Sequence, residues 1–241
     1  MNRKAFSLIY ILPNLFTATS VFIGVISIIA ASKGEFEKAA WLIFLSMIFD
    51  GLDGRIARLT HTTSRFGVEF DSLADIVAFG VAPAMLLYFC CGSEYGKFGS
   101  LVCAIFVVFG AIRLARFNVM APKAEPSVFI GLPIPTAAIF IAIWILLFSK
   151  YPTLHNYASL LLIGALICSF LMVSNIRYPS FKKIEFKKMS AIKILIVLIS
   201  ILSLLYLFPV EGIAIAVTIY ILYGIVRTLY FLITKKRKNI V

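Results

Sequence analysis

Apolar runs recur along this chain from one end to the other, each about twenty residues long, which is the length of an α-helix that crosses the hydrocarbon core of a bilayer. Of its 241 residues, 61% are hydrophobic and only 14% are charged. A soluble domain carries roughly 25% charged residues. The sequence therefore predicts an all-α, polytopic helical bundle in a membrane, and it argues against a soluble enzyme.

The apolar runs predict eight transmembrane helices in a single domain that covers residues 1–241. We place them at residues 15–32, 38–58, 68–90, 98–118, 132–149, 157–175, 191–208 and 212–233. No connection between them is long enough to separate a second domain.

The basic residues predict how these helices are oriented. Of the 23 lysines and arginines, all but Lys33, Lys38, Lys97 and Lys150 fall in the termini and connections on one side of the predicted bundle. Because an excess of Lys and Arg marks the cytoplasmic side, we expect both termini in the cytoplasm of a multi-pass cell-membrane protein. The net charge of +12 is spread over all the cytoplasmic connections, which argues against a nucleic-acid partner.

Carboxylates gather in one part of this apolar sequence. Asp50 and Asp53 fall in the second predicted helix, and Asp71 and Asp75 fall in the third. A carboxylate in lipid costs about 3 kcal/mol even on a lenient scale, so acids inside a membrane segment are candidate functional residues. All of them lie near the predicted cytoplasmic ends of their helices, where substrates would arrive from the cytoplasm and from the inner part of the bilayer.

Each helix carries its acids on one face. At about 100° per residue, the acids of the second helix share a face of about 140° with Gly54, Ala57 and Arg58. Those of the third helix share a face of about 80° with Gly67. Two such faces meeting across a hairpin would suit one or two Mg²⁺ ions, and Mn²⁺ or Ca²⁺ on ligand type alone. Small residues between the acids leave room for a bulky ligand group.

Two other interpretations of the acids are open. Buried ion pairs could link the helices, or the protein could be a cation or proton transporter. Transporters tend to break their helices near the bilayer midplane, whereas these acids lie near one surface and the second helix has no proline. Arg55, Arg58 and Arg65 place positive charge beside the acids, where it suits phosphate.

The pattern D-x2-D-G-x2-A-R-x8-G-x3-D-x3-D resembles the signature of the CDP-alcohol phosphotransferases. Its fixed positions are all filled, by Asp50, Asp53, Gly54, Ala57, Arg58, Gly67, Asp71 and Asp75. The resemblance implies an integral-membrane enzyme that moves a phosphatidyl-type group from a CDP-linked lipid to an alcohol and releases CMP. It implies a six-helix core in residues 1–175, two additional helices in residues 176–241, and a homodimer. It also implies that all four aspartates hold a pair of divalent metal ions, with Asp75 as the base.

Further segments resemble the phosphatidylserine synthase branch of that family, at residues 13–17, 69–83, 113–118 and 131–135. The implied substrates are CDP-diacylglycerol and L-serine. The candidate CDP-lipid ligands are Asn14, Thr17, Gly54, Ala57, Arg58, Arg65 and Gly67. The candidate serine ligands are Arg113, Arg116 and Asn118, whose alternative role is anchoring at the membrane interface. Helix capping is the alternative for Asn14 and Thr17.

The expected reaction is a displacement in which the serine hydroxyl loses its proton to Asp75 and attacks the lipid-side phosphorus. Transfer in one step is the default, and a two-step route through an enzyme-bound intermediate stays open. Glycerol-3-phosphate, inositol phosphate and ethanolamine remain alternative acceptors. The sequence leaves open whether the lipid tails are acyl or ether-linked isoprenoid chains.

Overall fold

The protein is a bundle of α-helices that carries one small pair of β-strands. The structure is a computed structural model that describes residues 11–60, 62–120, 128–179 and 206–238, with residues 195, 199, 202 and 203. Its helices are α1 (Ile11–Ser32), α2 (Phe36–Leu59), α3 (Arg65–Asp75), α4 (Ala82–Cys90), α5 (Gly96–Met120), α6 (Ile134–Lys150), α7 (Ala158–Val173) and α8 (Pro209–Lys238). Strands β1 (Val128–Ile130) and β2 (Arg177–Pro179) are antiparallel, with Phe129 opposite Tyr178.

The helices confirm an all-α polytopic membrane protein. Five helical stretches are long and apolar enough to cross a bilayer, at Ile11–Ser32, Arg65–Cys90, Gly92–Met120, Pro152–Val173 and Pro209–Thr228. Helix α6 is a shorter apolar helix, and α2 lies where the second span was predicted. Most of the helix predicted at residues 191–208 lies outside the described residues, as do both chain ends, so the total of eight helices and the cytoplasmic termini stay predictions.

The third predicted span is continuous but not uniformly α-helical. A π-helical turn, Ile76–Val81, joins α3 to α4 and begins immediately after Asp75. The neighbouring helix α1 approaches this turn closely, since a Cβ atom on Gly24 would lie 3.0 Å from the Cα of Ala78. Turns of this type are rare and often lie at functional sites.

Helix α1 is held beside α2 by small polar side chains. The Ser20 and Ser46 hydroxyl oxygens are 2.7 Å apart, and the Ser27 hydroxyl donates to the Ala39 carbonyl at 2.8 Å. Both contacts are buried. Small residues and interhelical hydrogen bonds are what hold helices together in lipid, where apolar burial gives little net drive. The pairing fixes α1 against the helix that carries Asp50 and Asp53.

Arg116 forms a junction between the end of α5, the strand pair and the end of α7. Its guanidinium donates to the carbonyls of Val173 at 2.8 Å and Ser174 at 2.9 Å, and to those of Met172 and Ile130 at 3.2 Å. The last carbonyls of a helix have no partner inside the helix, so Arg116 satisfies the end of α7.

Gly131 completes this junction. It has a φ angle of +77°, and a Cβ atom there would clash with the Met172 carbonyl and lie 2.7 Å from the Arg116 Nη2 atom. The residue therefore meets two demands that only glycine satisfies, a left-handed backbone and a close approach by its neighbours.

Gly131→Ala should lower the free energy of unfolding by clearly more than Gly34→Ala does. Gly34 has a similar φ angle of +80°, but no atom of the described residues lies within 4 Å of its Cβ position. Gly34→Ala should thus cost only the left-handed backbone, about 1–2 kcal/mol. Unfolding of the purified proteins in detergent, followed with a thiol-reactive dye that reports the buried cysteines, gives both values. Equal losses would show that the clash at Gly131 relaxes freely.

Candidate active site

The structure brings the predicted acids together between α2 and α3. Asp50 and Asp53 lie in the C-terminal half of α2, and Asp71 lies in α3. One carboxylate oxygen from each of these three residues lies within 4.8 Å of the others. Asp75, one turn further along α3, lies close enough to Asp50 for their charges to interact. The two acidic faces predicted from the spacing therefore form one cluster.

Helix α1 fixes one of these acids. The Thr17 hydroxyl donates to the Oδ2 atom of Asp53 across 2.6 Å, and both side chains are buried. Thr17 was predicted as a CDP-lipid ligand, and the structure shows that it also orients a carboxylate. A ligand that is itself hydrogen-bonded points its lone pairs in a defined direction, as is usual around metal sites.

The donor set fits the divalent cation that the sequence predicts. Carboxylate oxygens are hard ligands, which Mg²⁺ and Mn²⁺ prefer over sulfur or imidazole. Within the described residues, the Oδ1 atom of Asp75 is buried and has no hydrogen-bond partner. A buried polar atom without a partner is costly, so it points to a ligand or a proton that the site receives in function.

A cavity of about 210 Å³ is lined in part by Asp53 and Asp71. Six of the seven predicted CDP-lipid ligands line it, namely Asn14, Thr17, Gly54, Ala57, Arg58 and Gly67. Arg65 is not part of the lining. The cavity thus joins three elements: the start of α1, the last turns of α2 and the first turn of α3.

The two glycines that line this cavity differ in how much room surrounds them. A Cβ atom on Gly54 would meet only the Arg58 Nη1 atom, at an ordinary contact distance of 3.5 Å. One on Gly67 would lie 3.2 Å from the Ser64 hydroxyl and 3.4 Å from the Asn14 Oδ1 atom. The packing of the described residues therefore does not require glycine at position 54, whereas Gly67 is closely surrounded.

The loop between α2 and α3 adds cavity residues that the sequence analysis did not identify. Thr62, Thr63 and Ser64 also line the cavity. The Ser64 hydroxyl accepts a hydrogen bond from the Gly67 backbone N–H at 3.0 Å and caps the start of α3. A run of hydroxyl residues just before a helix is an N-cap signal, so Ser64 could have been found from sequence.

The three candidate serine ligands have different surroundings. Arg113 is buried and lies close enough to Asp75 to act on its charge. Asn118 donates to the Ser72 hydroxyl at 2.8 Å, next to Asp71. Arg116, in contrast, is engaged by the carbonyls of the junction described above. Arg113 and Asn118 thus lie beside residues of α3, whereas Arg116 is engaged at the junction.

Comparison with known proteins identifies the family to which this protein belongs. A sequence model of the CDP-alcohol phosphatidyltransferase family matches residues 10–171, which include all four aspartates and the whole cavity lining. The chain belongs to the CDP-alcohol phosphatidyltransferase family. The resemblance seen in the aspartate spacing is thereby confirmed over α1 to α7, while α8 lies beyond the matched residues.

Curated relatives within this family are similar over most of their length. The chain is 48% identical over 226 residues to a CDP-diacylglycerol–serine O-phosphatidyltransferase of Helicobacter pylori strain J99, covering 93% of this chain and 94% of the relative. It is 37% identical to the Methanocaldococcus jannaschii protein of the same name, over 80% of this chain and 92% of the relative. It is 36% identical to an archaetidylserine synthase of Methanothermobacter thermautotrophicus, over 74% of each chain.

Thr17→Val should weaken the affinity for Mg²⁺, because Asp53 would lose the hydrogen bond that orients it. Loss of such a partner typically costs about 10- to 100-fold in metal affinity. Titration calorimetry on the purified protein measures the effect. Thr19→Val is the matched control, since the exposed Thr19 hydroxyl bonds only the Leu15 carbonyl of its own helix, at 2.8 Å. If both variants bound Mg²⁺ like the unmodified protein, Asp53 would not depend on Thr17.

Proposed function

We propose that this protein transfers a phosphatidyl group from CDP-diacylglycerol to the hydroxyl of L-serine, giving phosphatidylserine and CMP. The observation that carries the proposal is the cluster of carboxylates from α2 and α3 beside a cavity, in a chain of the CDP-alcohol phosphatidyltransferase family. The relatives at 48% and 37% identity are both named for transfer to serine.

The cavity is the site we assign to the CDP head of the lipid. Asn14 and Thr17 offer hydrogen-bonding groups at the start of α1, and Gly54 and Gly67 let a flat base or a phosphate approach the backbone. Arg58 supplies positive charge at the rim, where its exposed side chain can reach a phosphate oxygen. The lipid tails would extend sideways into the bilayer.

The pyrophosphate would lie over the acidic cluster. Asp50, Asp53 and Asp71 would hold Mg²⁺ or Mn²⁺, with Asp75 on the second ion if two bind. When bound, the cation would withdraw negative charge from the phosphate oxygens and stabilise CMP as it leaves. The buried Thr17–Asp53 hydrogen bond keeps one of these ligands in place.

Asp75 is the general base of the proposed reaction. Its Oδ1 atom is buried and has no partner among the described residues, so it can accept the proton of the serine hydroxyl. The hydroxyl oxygen then forms a bond to the lipid-side phosphorus, and the bond from that phosphorus to the CMP oxygen breaks. The proton ends on Asp75 and the electron pair leaves with CMP.

The acceptor end lies beside Asp75, on α5. We assign the serine carboxylate to Arg113, whose guanidinium is buried and suits a two-pronged contact. Asn118 reaches the same region through Ser72 of α3. On this assignment the acceptor and the base are held by adjacent helices. The excess of basic residues on this side supports access from the cytoplasm, and the homodimer stays a prediction of the family resemblance.

The purified protein should release CMP from CDP-diacylglycerol when serine is the only alcohol present. Glycerol-3-phosphate, inositol phosphate and ethanolamine, offered singly, should give little release. A CDP-linked ether lipid tests the tail preference, since one relative is named an archaetidylserine synthase.

A chelator should abolish the release of CMP, and Mg²⁺ or Mn²⁺ should restore it. Preference for another alcohol would contradict the serine assignment, while ion flux in liposomes without CMP release would indicate a transporter.

Asp75→Asn should lower kcat by about 10²-fold or more, the usual contribution of a general base, and leave the affinity for CDP-lipid largely intact. Glu69→Gln is the matched control, because Glu69 is an exposed acid on the same helix and its removal should leave kcat unchanged. Steady-state kinetics of CMP release measure both variants. Turnover by Asp75→Asn near the unmodified rate would remove Asp75 as the base.

A further inference from the structure

The π-helical turn Ile76–Val81 follows Asp75 directly and connects it to α4. An α-helix rotates by about 100° per residue, and a π-helical turn holds one residue more than an α-helical turn, so it sets how the face of α3 is rotated relative to α4. Of these two helices α4 is packed more deeply: five of its nine residues are buried, but only Ala74 of the eleven in α3. A change in the turn would therefore be taken up by α3, whose last residue is Asp75.

Two neighbouring helices contact this turn closely. Helix α1 approaches it at Gly24, whose Cβ atom would lie 3.0 Å from the Cα of Ala78. Helix α6 approaches it through its first residue, Ile134, whose Cδ1 atom lies 3.7 Å from the Cβ position of Gly80. Ala78 and Gly80 are both buried. The shape of the turn is therefore limited by what α1 and α6 leave free.

The Cδ1 methyl group of Ile134 also fills the space beside a glycine of α5. A Cβ atom on Gly110 would lie 2.6 Å from this Cδ1 atom and 3.5 Å from the Cγ1 atom of Ile134. Carbon atoms pack best at about 3.5–4.0 Å, so α5 and Ile134 can come this close only because position 110 has no side chain. The Ile134 side chain is fully buried, and its terminal methyl group contacts both α5 and the π-helical turn.

The backbone just before Ile134 is anchored to the end of α7. The Gly131 N–H donates to the Ile176 carbonyl at 2.8 Å, and the Leu132 N–H donates to the Leu171 carbonyl at 3.0 Å. A proline on either side of Ile134 fixes two φ angles of this segment. Ile134 therefore enters the bundle from a fixed point, beside the junction described above.

We propose that Ile134 is a positioning residue, whose side chain between Gly110 and the π-helical turn holds the turn in the shape that directs Asp75 at the acceptor hydroxyl. The inference rests on the proposed function, because it takes Asp75 to be the general base. It gives the segment between β1 and α6 a role in the reaction, although none of its residues lines the cavity beside the acids.

Gly110→Ala tests this role, because the added methyl group would displace the buried Ile134 side chain. The kcat of CMP release should fall by about 10- to 100-fold, since a displacement of about 1 Å at the reacting groups can cost about 10²-fold in rate. The KM values for CDP-diacylglycerol and serine should change little. In an Asp75→Asn background, Gly110→Ala should lower kcat no further, because it acts through Asp75.

A second substitution should rescue the first. Ile134→Val removes the Cδ1 atom and keeps Cγ1, so the double variant Gly110→Ala/Ile134→Val has room for the new methyl group and should regain a kcat near that of the unmodified protein. Ile134→Val alone empties the space beside Gly80 and should lower kcat, which keeps the inference testable if Gly110→Ala fails to fold.

Gly164→Ala is the matched control for crowding. Among the described residues, its Cβ atom would meet only the ring of Phe140, at 3.0 Å, and Phe140 lies six residues beyond Ile134 on α6. This variant should lower the Tm and leave kcat unchanged. Gly24→Ala presses on the π-helical turn from α1 and should lower kcat as Gly110→Ala does, with both KM values again little changed.

The outcomes separate this inference from the proposed function. An unchanged kcat in folded Gly110→Ala, or an additive loss in the Asp75→Asn background, would overturn the positioning role alone. An equal loss of kcat in Gly164→Ala would show that any crowding of α6 has this effect, and would also overturn it. Near-normal turnover by Asp75→Asn alone would remove the proposed base and this inference together. Release of CMP with an alcohol other than serine would remove the serine assignment only, since kcat can then be measured with that alcohol.

Discussion

The acid cluster is the constraint on which the rest of the structure depends. Asp50, Asp53 and Asp71 place carboxylate oxygens within 4.8 Å of one another inside an apolar bundle, and Asp75 lies close enough to Asp50 for their charges to interact. Like charges at such distances repel strongly where little water screens them, and each carboxylate also loses hydration. A bundle that tolerates this arrangement must fix the two acidic helices in place, and its function must supply positive charge.

The packing around the cluster holds the two acidic helices in place. Helix α1 is tied to α2 through its serines, and Thr17 reaches Asp53 directly. On the opposite side, Arg116 ties the end of α5 to the end of α7, so the segment that carries Arg113 is also held. The groups proposed to react thus lie on helices that polar contacts hold together, as precise chemistry requires.

The sequence predicted the helices and the acidic faces well, and the reasons are physical. Hydropathy and length decide which segments can lie in lipid, and a period of 3.6 residues decides which side chains share a face. The same rules do not predict the π-helical turn after Asp75, because it has no comparable sequence pattern. They also do not predict the strand pair, which forms between segments far apart in the chain.

Tertiary contacts explain the remaining differences. Arg116 was predicted as a serine ligand, but its guanidinium donates to four backbone carbonyls, between 14 and 58 residues away in sequence, and to the Asn175 side chain. Because every residue has a backbone carbonyl, the residue types do not show which carbonyls Arg116 will contact, and the sequence could not reveal its role at the junction.

Binding of Mn²⁺, followed by electron paramagnetic resonance on the purified protein, tests the central claim most directly. If the acids of α2 and α3 form one shared site, Asp50→Asn and Asp71→Asn should each abolish the same saturable binding, although they lie on different helices. Glu69→Gln should leave that binding intact. Undiminished Mn²⁺ binding after loss of the acid on either helix would contradict a shared site, and with it the account of how this bundle is built for catalysis.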